Sequence, residues 1–151
     1  MLSKLATALL EQHALIGLQI ARAKGATAHD VVPRCRHVMR SVYAHLSAVK
    51  KLVLPAFGSR AETERVQVAV ESVATALAAM AAVDGLGSLD GLGDVMSSLN
   101  ALIAAERDLL ASAASVSHGL LGPVAFDVEE HFEALYGRDQ APQVVWGPTH
   151  Q

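Results

Sequence analysis

The sequence predicts an all-α protein: an up-down-up-down four-helix bundle with a short fifth helix at its C-terminal end. Three observations carry that prediction. Alanine and leucine dominate while aromatics reach only 4%, which favours helices, because strands draw on β-branched and aromatic side chains. Four successive segments repeat apolar residues at alternating spacings of three and four, the period of a helix with one buried face. Glycine and proline signals separate those segments.

The chain has 151 residues, 52% of them hydrophobic. That is enough for one domain with a sizeable core and too little for two. The domain is read as residues 1–151, with the bundle over about 1–115 and the short helix and tail over 120–151.

The first helix is expected from Leu2 to about Ala23, with Gly25 suited to a left-handed C-terminus. Its inward stripe is Leu2, Ala6, Leu9, His13, Ile16 and Ile20. The second begins near Asp30, a good N-cap residue, carries Pro33 in its first turn and stops before Pro55. Its stripe is Val31, Cys35, Val38, Val42, His45, Val49 and Leu52.

Ser59 and Glu62 have the spacing of a capping box, opening a third helix that lasts to Asp84-Gly85. Val66, Val70, Val73, Leu77 and Met80 form its stripe. Gly85, Gly87, Gly91 and Gly93 predict a flexible turn. A fourth helix follows from about Leu92 to Ala114, with Leu92, Val95, Leu99, Leu102, Glu106, Leu109 and Ala113 facing inward. Beyond Pro123, Asp127 and Glu130 read as another capping box and Gly137 as a stop, so a short fifth helix is expected across one end. The last dozen residues, with Pro142 and Pro148, read as an irregular tail.

The net charge is -3. It offers no basic surplus for nucleic acid or a membrane surface, and Arg34, Arg36 and Arg40 read as a wetted helix face. A lone cysteine, Cys35, excludes an intrachain disulfide and a cysteine-based zinc cluster and suits a buried position. Glu11 and His13 interrupt the N-terminal apolar run, which argues against a signal peptide, and no apolar stretch reaches the length of a membrane span. A cytoplasmic location is expected. There is no nucleophile elbow or phosphate-binding glycine loop, so hydrolase and nucleotide-binding readings find no support and an enzyme is not expected.

Three polar residues interrupt otherwise apolar seams: His13, His45 and Glu106. A buried carboxylate without a partner loses hydration worth several kcal/mol or becomes neutral, so Glu106 needs a cation, a donor or a metal beside it. Either histidine is able to serve. Glu71 lies one residue off the third seam and is a further candidate ligand. Lys50 is a candidate counter-ion for Glu106, although solvent exposure suits it better. His29, His37, His118 and His131 read as surface or capping residues.

Over roughly residues 8 to 112 the chain resembles the hemerythrin-like, or HHE cation-binding, family of four-helix bundles. EQHALIGL is similar to that family's first-helix histidine motif. HLSAVKKLVLP resembles its second-helix motif, in which His is followed four residues later by Glu and then by a proline. LIAAERDLL resembles the fourth-helix motif, with a histidine expected at Leu102 and a carboxylate at Glu106; the third-helix histidine would fall near Val70 or Glu71. The resemblance implies two non-haem irons, yet Val49, Leu102 and Val70 stand at ligand positions and cannot coordinate. A register shifted by one would put Ala101 and Ala105 there instead; the seam periodicity favours Glu106.

What the resemblance leaves is half a site, with His13, His45 and Glu106 serving one iron or another divalent ion. Two imidazoles, a carboxylate and open positions form a ligand set for such an ion. The competing expectation is a metal-free polar cluster inside a structural or interaction module, with a homodimer packed through a second apolar face as its natural partner. The residue count favours the module. The alternative is a non-haem metal protein acting as an oxygen or redox sensor, and a third reading is a small-molecule binder using the space of the missing ligands.

Overall fold

The computed structural model describes residues 3–82, 89–112 and 118–137. Among them the fold is all-α. Helix α1 spans Lys4–Lys24 and α2 spans Val31–Ala48. A π-helical segment, Val49–Val53, and a last α-turn, Leu54–Phe57, prolong α2 without a break. Helices α3 (Ala61–Ala82) and α4 (Leu89–Ser112) form the most extensively packed pair, and α1 with α2 the next. Helix α5, His118–Phe132, continues as a π-helical segment over Glu133–Gly137 and packs on α1 and α2. Further contacts join α1 to α4 and α2 to α3, a pattern compatible with a four-helix bundle.

The seams read from the sequence are largely buried; Val31 and Leu52 are half-buried, and Leu2 and Ala113 lie outside the described residues. In α3, Val66, Val70, Val73, Leu77 and Met80 all lie in the core, and in α4 so do Leu92, Val95, Leu99, Leu102 and Leu109. Cys35, Val38, Val42 and Val49 do the same from α2, and Leu9, Ile16 and Ile20 from α1. Burying each such aliphatic side chain is worth roughly 1.5–3 kcal/mol, so these stripes, rather than helix propensity, hold the elements together.

The helix ends differ from expectation in instructive ways. Ser3 caps α1, its hydroxyl accepting from the Ala6 amide at 3.1 Å, an interaction worth about 1 kcal/mol. Gly25 closes α1 with φ -91° rather than in the left-handed region, its amide donating to the Ala21 carbonyl and the Ala26 amide to the Ala23 carbonyl. Asp30 stands at the N-cap of α2 but makes no side-chain cap bond; Oδ2 instead accepts from the Thr27 hydroxyl at 3.3 Å.

Helix α2 does not stop before Pro55. Proline lacks the N–H of an i→i−4 bond and its ring crowds the carbonyl four residues back. The preceding turn is widened, with the Leu54 amide donating to the Val49 carbonyl five residues away. This π-type spacing carries the chain through the proline. Gly58 then terminates it at φ 70°, a conformation open to glycine.

Because α3 starts at Ala61, Arg60 rather than Ser59 precedes it, and the Ser59–Glu62 spacing does not act as the expected cap. The predicted third-helix end at Asp84-Gly85 lies outside the described residues. Gly91 and Gly93 belong to α4, not to a turn. A Cβ on Gly91 would come within 3.3 Å of the Met80 side chain, so glycine here lets α3 and α4 approach closely.

Helix α5 begins well before the expected Asp127–Glu130 box and runs through Pro123. The reason is a continuous apolar line, Leu121, Ala125, Val128 and Phe132, all buried, which outweighs one lost backbone bond. Asp127 is therefore an exposed mid-helix residue. The tail from 138 onward is outside the described residues. Among those that are described, no helix is long and apolar enough to cross a membrane.

Candidate metal centre

His13, His45 and Glu106 come from three helices and meet inside the bundle. Each is delivered by its seam: His13 between Leu9 and Ile16 on α1, His45 one turn after Val42 on α2, and Glu106 between Leu102 and Leu109 on α4. His45 is fully buried and Glu106 is 2% exposed; the His13 side chain keeps 11% of its surface in contact with solvent. His13 Nε2 lies 2.9 Å from Glu106 Oε1, and His45 Nε2 lies 2.7 Å from Oε2. One carboxylate thus engages both imidazoles, one through each oxygen. The two rings meet edge to face with centroids 4.9 Å apart.

Gln12, buried beside them, places Oε1 at 2.7 Å from His45 Nδ1. Amide and carboxylate oxygens accept hydrogen bonds, so in this arrangement His45 is placed to donate from Nδ1 to Gln12 and from Nε2 to Glu106. His13 differs: its Nδ1 is buried and has no partner among the described residues.

Burial pushes the Glu106 carboxyl upward, but the charge of His45, the hydrogen bonds from His13 and His45, and the charge of His13 outweigh it and hold the group down at about 2. A carboxylate lowered by folding stabilises the native state above its ordinary range, and that stability disappears as pH falls through the folded value. From the ordinary 4.5 down to about 2, the loss is on the order of 3 kcal/mol. Urea titrations across this acid range are expected to show that drop in the wild type and a flattened profile in Glu106→Gln.

One ligand atom from each of the three residues lies within 4.8 Å of the others, so the cluster could hold a metal ion. Glu71 takes no part. It is exposed on α3 and accepts a bond from Gln67 Nε2 at 2.8 Å. Lys50 is also exposed, so the histidines supply the counter-charge for Glu106. The fourth-helix register with Glu106 inward is observed, Leu102 being fully buried and Ala101 exposed. Val49, Leu102 and Val70 are buried apolar residues that fill the space around the seams.

Reading a single stripe per helix missed several buried polar groups. Gln12 and Gln19 are both 5% exposed. They lie on a second line of α1, with Leu5, Ala8 and Ala23, which is buried because α5 and α2 cover that flank. The three- and four-residue spacing of this line was visible in the sequence; the helix that covers it was not. Gln19 donates to the Tyr136 hydroxyl at 2.6 Å, and Ser47 meets His131 Nε2 at 2.8 Å. These bonds tie α5 to α1 and α2, which makes His131 a half-buried structural partner rather than a surface residue.

No protein-family model matches the chain, and no curated protein or solved structure matches it.

Proposed function

We propose that this chain is a hemerythrin-like helical bundle that binds a single divalent transition-metal ion through His13, His45 and Glu106. The observation that carries the reading is the convergence of two imidazole Nε2 atoms on the two oxygens of one buried carboxylate. The set suits the ion chemically. Imidazole favours zinc, iron, copper and nickel over the harder cations, and an ionised carboxylate supplies charge compensation. Glu106, held down at about 2, is ionised at neutral pH. Three protein ligands leave the remaining positions to water or a small molecule. Val49, Val70 and Leu102 are apolar and offer a second metal of the family's kind no ligand at those positions.

A second reading keeps the bundle as a structural or interaction module without metal. Separations of 2.7 and 2.9 Å are hydrogen-bond lengths, and they favour protons bridging the three groups.

Elemental analysis of the purified protein after exposure to iron(II), zinc or manganese separates the two. The metal reading expects close to one ion per chain and its loss in His45→Ala, with circular dichroism confirming that the variant stays helical. A wild type that remains metal-free after reconstitution leaves the structural module.

A further inference from the structure

We infer that Gln12 is the positioning residue of the proposed metal site: its side-chain carbonyl retains the proton on Nδ1 of His45 and thereby presents Nε2 as the ligating nitrogen. This inference rests on the metal-binding reading above.

A histidine that ligates through Nε2 must keep its remaining proton on Nδ1, and a buried N–H needs an acceptor. His45 is fully buried, and the acceptor facing its Nδ1 is Gln12 Oε1 at 2.7 Å. Ligation requires the Nε2 proton to leave, while the Nδ1 proton stays where the amide carbonyl already holds it. The ring therefore needs neither rotation nor tautomer exchange to receive the ion.

The presence of Gln12 itself needs explaining. It occupies a flank of α1 shared with Leu5, Ala8 and Ile16, all buried, where an apolar side chain would pack without a polar group to satisfy. A buried amide is costly unless hydrogen-bonded, and the contact with His45 is the bond that compensates it. His13 shows the contrast. Its Nδ1 has no acceptor among the described residues, so within them one imidazole of the pair is oriented from behind and the other is not. Outer acceptors of this kind raise the basicity of the ligating nitrogen, and their removal typically lowers metal affinity 10- to 100-fold.

The test compares zinc affinity, measured by competition with a chromophoric chelator, among full-length wild type, Gln12→Met and Gln12→Glu. Zinc is the strict probe, because an imidazole-carboxylate site binds it more tightly than iron(II) or manganese(II). Met keeps the length and shape of Gln and has no oxygen to accept the proton; Glu keeps the acceptor. Gln12→Met is expected to bind zinc about 10- to 100-fold more weakly, and Gln12→Glu to match or exceed the wild type. In zinc-loaded wild type, nitrogen-15 NMR of the His45 ring is expected to show Nδ1 protonated and the proton slow to exchange. Should Gln12→Met fail to fold, Gln12→Asn withdraws the carbonyl by one methylene and reads the same loss. Unchanged zinc affinity in the variant lacking the acceptor overturns the inference and leaves the binding reading intact. A wild type that takes up no zinc overturns both.

Discussion

Replacing Glu106 with Leu is expected to destabilise the protein by about 3–5 kcal/mol, the loss typical when one partner of a buried ion pair is removed. The physical reason is the remainder. His45 is fully buried, with Nδ1 committed to Gln12 and Nε2 facing Glu106 at 2.7 Å. Without the carboxylate the Nε2 of this buried ring loses its hydrogen-bond partner, and a buried polar group left unpaired is costly. His13 loses its Nε2 partner in the same step, with its other nitrogen already unpartnered among the described residues.

The companion experiment removes the three polar groups together. His13→Leu, His45→Leu and Glu106→Leu combined is expected to regain most of the loss in metal-free buffer, because replacing a whole buried ionic cluster by fitting apolar side chains is often neutral or stabilising. Equilibrium urea unfolding reads both variants. A single Glu106→Leu as stable as wild type would refute the ion-pair description of the cluster.

Leu102→Ala is expected to cost about 2–5 kcal/mol, the range for truncating a fully buried leucine, with the larger values where the surroundings fail to collapse into the cavity. Leu102 has no exposed surface and lies one turn before Glu106 on the same inward line of α4. Ala101, its exposed neighbour, supplies the control: Ala101→Ser is expected to stay within about 0.5 kcal/mol of wild type. The contrast tests the register of α4 directly, because a one-residue rotation would exchange the two outcomes. It also assigns a role to a leucine for which the sequence resemblance raised the expectation of a ligand position. Leu102 contributes core volume, and unfolding midpoints of the two variants measure how much.

Much of the molecule is legible in the sequence. Val66, Val70, Val73, Leu77 and Met80 repeat at intervals that only a helix places on one face, and all five are buried. His13, His45 and Glu106 stood out for the same reason, as polar residues on apolar lines. Local signals were less dependable. Pro55 and Pro123 read as boundaries, but a widened turn absorbs the first and a buried apolar line overrides the second. The Asp127–Glu130 spacing is that of a capping box, yet it falls inside a helix whose start is set by packing.

By itself, the sequence determined the all-α class, the inward faces of the four long helices and the three polar intruders on them, because periodicity is a property of one chain segment and needs no partner to be read. The tertiary structure alone decided which intruders meet. It also decided that Glu106 is shared by both imidazoles, that Glu71 stays in solvent, and that Gln12 joins the cluster from a flank covered by α2 and α5. Those outcomes depend on relative rotation and height between helices far apart in sequence. A shift of one residue turns a helical side chain by about 100° and raises it by about 1.5 Å, enough to make or break a 2.7 Å contact.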